Sequence, residues 1–320
     1  MPPHYRKEAN TFWGEQVSAW AVDFEYLLDA LMGITALHVY TLNPTDHTVS
    51  LSADFYNGRA AAKYRDALSD INQTTAGPIV TTALLIAFMS KIVPRINAAN
   101  KPYQLPLELF FLQRGIQVTQ QEALPYIRET LLFKVIFGSM PVINNVPAVD
   151  DPTNLTEDAI QDTANIRQQM QTEQLPFEGR AACESALSYV LAIHRGLNSQ
   201  EGFAYTGRRV TAFPVLIPWG FVELLQAGSI SAMLILARWY AIMKLTDCFW
   251  WCRGTPEYEV RGIASLIPRH LQWLMDYPNM TLQNAPTTIS SPSISDRTSI
   301  SSPSVSGVAL SPISSSSHHQ

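Results

Sequence analysis

Apolar residues recur at spacings of three and four along most of the chain, a period typical of α-helices that pack on one another. The clearest stripe predicts a helix over 55–71 and consists of Tyr56, Ala60, Tyr64, Ala67, Leu68 and Ile71. The preceding run, 24–40, is apolar around most of its circumference, which predicts a helix buried among other helices. Between these two helices, Asn43-Pro44-Thr45-Asp46 has the composition of a turn.

The same period predicts further helices over 79–96, 107–118, 120–137, 154–174, 180–195, 221–227, 229–251 and 257–275. Prolines mark predicted connectors at 102–106, 138–152 and 209–219, because proline lacks the amide hydrogen that a helix interior needs. Gly196 stands where a helix C-cap is expected. The 154–174 stretch has a weak apolar stripe and predicts a solvated helix. No two-residue alternation predicts strands, so the sequence indicates an all-α array of packed helices rather than a four-helix bundle.

The composition changes at Ala285, where serine, threonine and proline replace the apolar periodicity. Residues 285–320 hold no aromatic side chain and too little apolar surface to offset the entropy of ordering the chain. We therefore predict one large helical domain over 10–284 and a disordered Ser/Thr/Pro-rich tail over 285–320.

Composition argues against several classes of function. The 320 residues are 47% hydrophobic and 15% charged, with a net charge of −5. The adjacent basic pairs, Arg6-Lys7 and Arg208-Arg209, make no basic stripe, so direct nucleic-acid binding is not expected. The apolar runs are too short, or too interrupted by proline and charge, to predict a membrane span. The sparse cysteines indicate free thiols in a reducing compartment.

Patterns of catalysis and metal binding are also missing from the sequence. It contains no glycine-rich nucleotide loop, no HExxH zinc motif and no GxSxG nucleophile elbow. Cys248 and Cys252 share a helix face, but zinc needs two further ligands and none stands at a suitable spacing. Cys183 and His194 would lie about 16 Å apart along one helix, too far for a nucleophile–base pair. We therefore expect no enzyme activity, no metal and no cofactor.

One predicted helix, 230–251, is bulky, apolar and rich in methionine and tryptophan. Such a helix is usually core, yet polarizable side chains can also line a hydrophobic ligand pocket. The candidate lining residues of an effector pocket are Met233, Trp239 and Met243. If Trp239 is core, its truncation costs ~3–5 kcal/mol of stability, whereas if it lines a pocket the loss falls mainly on the ligand response. The sequence leaves both interpretations open.

Three motifs follow one another in the C-terminal third: Phe213-Pro214-Val215, then Ala237-Arg238-Trp239-Tyr240-Ala241 on a helix, then Trp250-Trp251-Cys252-Arg253-Gly254. In this order they resemble the C-terminal end of fungal zinc-cluster transcription regulators. The helices predicted at 27–38 and 56–71 are similar to the first two helices of the same regulatory domain. The resemblance spans residues 13–278, and the best-matching subgroup is the sterol-uptake regulators with their relatives in secondary-metabolite gene clusters.

That resemblance implies the helical effector domain of a transcriptional regulator of secondary-metabolite or sterol-related genes, nuclear and shuttling with the cytoplasm. It also implies a hydrophobic, sterol-like effector, and a homodimer or a zinc-cluster transcription factor as partner. Family members bind two zinc ions through six cysteines, whereas this chain has only Cys183, Cys248 and Cys252. A DNA-binding partner is therefore expected. The alternative hypothesis is a stand-alone, sterol-like ligand-binding protein without transcriptional output.

Overall fold

A computed structural model describes residues 3–90, 92, 102–138, 144–147, 150–199, 203–245 and 250–284. Its helices are α1 (Pro3–Thr11), α2 (Val17–Asp23), α3 (Glu25–Leu42), α4 (His47–Ala67), α5 (Ala76–Met89), α6 (Leu107–Ile127), α7 (Leu131–Phe137), α8 (Glu157–Thr172), α9 (Phe177–Asn198), α10 (Phe203–Leu216), α11 (Trp219–Gln226), α12 (Ile230–Lys244), α13 (Thr255–Leu266) and α14 (Asp276–Asn284). A π-helical turn, Phe12–Gln16, and two 3₁₀ segments, Trp250–Cys252 and Arg269–Met275, complete the described elements. Within these residues all regular structure is helical, which confirms the all-α prediction. The predicted tail, 285–320, lies outside the described residues.

Helices α3 and α4 form an antiparallel hairpin whose turn is set by one aspartate. The Asp46 carboxylate accepts hydrogen bonds from the backbone N–H groups of Thr48 and Val49, at 3.0 and 3.3 Å. This N-cap starts α4 at His47, so the predicted start at Phe55 was eight residues late. The two helices approach closely at Gly33, where an added Cβ would lie 3.4 Å from the Asn57 backbone nitrogen.

The described core has two main apolar clusters. The N-terminal cluster is built from residues of α2 to α7 and the π-helical turn, and its fully buried side chains include Phe12, Leu27, Ile79, Met89, Ile127 and Leu132. The C-terminal cluster gathers α8 to α13, and its fully buried side chains include Phe110, Phe213, Phe221 and Trp239. Helix α6 contributes to both, because Phe110 near its start joins the second cluster and Ile127 at its end joins the first.

Several predicted helix boundaries were wrong, in most cases at or near a proline or glycine. Residues 107–127 form one helix, and the break predicted at 119 falls at 128–130, where Thr130 caps α7. The predicted 209–219 linker lies largely within α10, which accommodates Pro214 near its last turn, where few backbone hydrogen bonds are lost. Gly196 lies inside α9. The last predicted helix, 257–275, divides at Ile267, which is extended and precedes Pro268.

Among the described residues, no single helix is long and apolar enough to cross a membrane. The segments α11 and α12 reach that length only as a pair, and they are bent by 112° relative to each other.

Candidate functional site

Helix α12, which carries the predicted effector residues, is held at its N-terminus by a side chain from outside the helix. The Glu173 carboxylate accepts hydrogen bonds from the backbone N–H of Ile230 at 3.0 Å and of Ser231 at 2.9 Å. It also accepts the Ser231 hydroxyl at 2.6 Å. Because the N-terminus of a helix carries partial positive charge, the carboxylate stabilises this end of α12 and fixes it to the chain that follows α8.

A buried ion pair fixes the middle of α12. Arg238 Nε and Nη2 donate to the two oxygens of Asp162 on α8, at 2.7 and 2.6 Å. The guanidinium also donates to the carbonyl oxygens of Leu234 and Leu274, at 2.9 and 2.7 Å. Arg238 is 2% exposed and Asp162 7%, so the pair joins α8, α12 and the 269–275 segment away from water. The prediction that 154–174 is a solvated helix was wrong for the face of α8 that carries Asp162.

Trp239 is packed as a core residue. It is fully buried, and its ring stacks on Phe213 of α10 with centroids 4.7 Å apart and planes inclined by 18°. Its indole Nε1 donates to the carbonyl oxygen of Val210 at 3.1 Å. The aromatic ring therefore has both its face and its polar atom engaged with α10.

The three predicted effector residues lie at two places along α12. Trp239 and Met243 stand four residues apart and so share a face of α12, whereas Met233 lies toward the other end of the helix. All three are buried within the C-terminal cluster, Met233 at 5% exposure and Met243 at 3%. Their place in a ligand pocket stays a prediction.

A second buried polar group, which sequence reasoning missed, lies beside α12. The Tyr103 hydroxyl donates to Glu259 of α13 at 2.7 Å, and Glu259 is 4% exposed. Burial raises the pKa of Glu259 to about 7, although the hydrogen bond from Tyr103 opposes the shift. Burial, together with the charge of Glu259, also raises the pKa of Tyr240 on α12. Gly262 makes room for this contact, because a Cβ there would lie 2.1 Å from the Tyr103 ring.

A cavity of about 550 Å³ opens along the outer side of α8, lined by residues that include Asp150, Leu155, Ile160, Thr163, Arg167 and Gln171. Arg167 forms ion pairs with Asp150 and, at 3.0 Å, with Glu184 of α9. The Arg167 guanidinium holds the pKa of Asp150 below its usual range. The cavity is a partly open groove with both polar and apolar lining residues, and none of Met233, Trp239 and Met243 is among them.

Two further candidates from the sequence have environments unsuited to acid–base or nucleophilic chemistry. Burial raises the pKa of the Cys183 thiol to about 12, so the reactive thiolate is disfavoured. Burial also lowers the pKa of His194, which keeps its imidazole neutral. Within the part of the chain that the structure describes, no group of three or more His, Cys, Asp and Glu side chains could hold a metal ion. Cys248 lies outside those residues.

The chain is similar to fungal transcription regulators. It is 24% identical over 268 residues to a Zn(2)-C6 fungal-type transcription factor of Gibberella zeae, covering 78% of this chain and 52% of that protein. It is 19% identical over 259 residues to Sterol uptake control protein 2 of Candida albicans, covering 77% of this chain and 35% of that protein. The chain thus spans about half, or less, of the length of these relatives. No protein-family model matches it, and no solved structure does.

Proposed function

We propose that this chain is the helical regulatory region of a fungal transcriptional regulator and has no catalytic role. The observation that carries the proposal is the similarity over 78% of the chain to a protein named as a fungal-type transcription factor. The all-α architecture agrees with a regulatory domain of that kind. Because the sequence has no basic stripe and a net charge of −5, contact with DNA is assigned to a zinc-cluster partner or to a further segment of the protein.

We propose further that α12 is the element through which an effector acts. Its N-terminus is fixed by Glu173, its centre by Asp162, and its aromatic face by Phe213. A ligand that displaced α12 would therefore disturb the packing of three surrounding elements at once. Met233 and Met243 are the flexible apolar side chains on which a hydrophobic, sterol-like molecule would act.

The test fuses the 320-residue chain to a heterologous DNA-binding domain and measures a reporter gene, alongside localisation of the tagged protein and transcript profiling after its deletion. We expect a nuclear protein, a changed reporter level, and a compact set of altered genes, either sterol-related or within a secondary-metabolite cluster. A silent fusion, a cytosolic protein and unchanged transcripts would together refute the proposal.

The second candidate is a hydrophobic-ligand binding protein without transcriptional output. The bulky apolar composition of α12 and the similarity to a protein named for the control of sterol uptake favour it. A fluorescent sterol titrated into the purified chain separates the candidates when combined with the reporter fusion. Binding without any reporter change supports the second candidate, and binding with a reporter change supports the regulator.

A further inference from the structure

Helix α3 has an apolar stripe that the described part of the chain leaves uncovered. Its members are Leu28, Met32, Thr35, Val39 and Leu42, at spacings of four, three, four and three residues. The four apolar side chains are 45%, 43%, 45% and 66% exposed, in that order. The sequence pattern predicted a helix buried among other helices, and that prediction is wrong for this side of α3. The alternation of four and three is the spacing of a helix–helix seam.

The uncovered surface continues onto α4. Leu51 and Phe55, one turn apart, are 68% and 58% exposed. The guanidinium of Arg59 lies over the Phe55 ring, 5.2 Å from its centroid, and also pairs with Asp29 of α3 at 3.2 Å. Phe55 therefore borders the α3 stripe across the hairpin. We call this surface the α3 face: Leu28, Met32, Thr35, Val39, Leu42, Leu51 and Phe55.

If the α3 face were covered, no polar group of the stripe would be left without a hydrogen bond. Its one polar member, Thr35, already donates its hydroxyl to the carbonyl oxygen of Leu31 at 2.7 Å. The stripe itself contains no charged residue. The charges at its edge balance, because Glu25 and Asp29 face Arg59 and Lys63 in one ion-pair network. Two such faces can therefore meet without net charge repulsion, although the whole chain carries a net charge of −5.

We propose that the α3 face is where two copies of this chain pair, α3 lying against α3 about a two-fold axis. The stripe is nearly symmetric about Thr35, because Leu28 and Met32 lie on one side of it and Val39 and Leu42 on the other. Two stripes that pack antiparallel therefore place each apolar pair against the other pair. The six apolar side chains expose roughly 600 Å² per copy, and a symmetric pair would remove about 1,200 Å², the lower end of the range for specific interfaces. A two-fold pairing also needs no second, different surface.

The test is analytical ultracentrifugation of the 320-residue chain over a range of micromolar concentrations. We expect a reversible dimer, and we expect Met32→Glu to weaken the dimer about 100-fold or more, since a charge would enter an apolar seam. Val118→Glu is the matched control: Val118 is 54% exposed on α6, away from the α3 face, so this variant should associate as the wild type does. Below the dissociation constant of the dimer, thermal unfolding of both variants should match the wild type, because both side chains are exposed in the single chain; at higher concentrations association adds stability to the wild type.

A mixing experiment identifies the occupant of the α3 face. Met32→Glu and Val39→Lys chains should each be monomeric alone and should associate when mixed, because residue 32 of one copy faces residue 39 of the other when Thr35 lies on the two-fold axis, so opposite charges then meet across the seam. A wild-type chain that is monomeric at every concentration overturns the proposal. So does a Met32→Glu chain that still dimerises, a Val118→Glu chain that dissociates equally, or a mixture that stays monomeric. Loss of binding to a different protein by Met32→Glu, with a monomeric wild type, would assign the face to that protein instead.

Discussion

The buried pair between Arg238 and Asp162 yields the sharpest stability prediction. Asp162→Ala would leave the guanidinium of Arg238, a residue that is 2% exposed, with two N–H donors that no longer have a carboxylate acceptor. Its bonds to the Leu234 and Leu274 carbonyls would remain. Removing one partner of a buried pair costs ~3–5 kcal/mol. That is a large share of the ~5–15 kcal/mol that keeps a domain folded.

The measurement is urea unfolding followed by circular dichroism, with the midpoint and the slope fitted separately. A matched control is Glu184→Ala, which breaks the ion pair to Arg167 at 3.0 Å, where both side chains are 31% exposed; the expected loss is ~0–1 kcal/mol. The double variant Asp162→Leu with Arg238→Met should recover most of the stability, because neither charge stays buried. A loss below ~1 kcal/mol in Asp162→Ala would refute the reasoning.

Three more predictions follow from buried contacts. Trp239→Ala should cost ~3–5 kcal/mol in urea unfolding, since Trp239 is fully buried; near-wild-type stability with a lost sterol response would instead favour a pocket. The pKa of Glu259 is raised from 4.5 to about 7 on folding, so the folded state binds more protons. Protonation of Glu259 therefore stabilises the folded state by about 3 kcal/mol below about pH 4.5, and this stabilisation is lost as the pH rises through about 7. Glu259→Gln should flatten the dependence of the unfolding free energy on pH, and an unchanged dependence would contradict the assignment. Gly262→Ala should cost about 1–3 kcal/mol of stability by displacing the Tyr103 ring. Gly115→Ala should be neutral or stabilising by about 0.5–1 kcal/mol, because a Cβ added there would have nothing within 4 Å. Equal effects of the two substitutions would be evidence against the steric argument.

The helices could be predicted from the sequence because their apolar period is local. The ends of several helices could not, because they depend on side chains whose effect is not periodic. Asp46 caps α4 in a stretch that is weakly amphipathic, and Pro214 was tolerated near the end of α10. A proline in the interior of a helix removes one backbone hydrogen bond, but near the last turn few further bonds depend on it.

The candidate site was less predictable than the fold, because its polar groups pair across long sequence separations. Arg238 interrupts an apolar run, and that interruption is the one local signal of a buried charge. Its partner, Asp162, is 76 residues away in a stretch that the apolar pattern predicts to be solvated. Tyr103 and Glu259 are 156 residues apart. Periodicity describes which face of a helix is buried, and it carries no information on which buried polar groups meet.

The two proposed sites belong to helices of different apolar clusters, since α3 belongs to the N-terminal cluster and α12 to the C-terminal one. One described contact connects α3 with the 3₁₀ segment Trp250–Cys252, which comes after α12 in the chain. His38 of α3 stacks on Trp250, with centroids 4.4 Å apart and planes inclined by 24°, and Trp250 follows α12 in the chain by six residues. An effector that moved Trp250 would therefore act on the helix that carries the α3 face. Effector binding and pairing would then be coupled with equal strength in both directions.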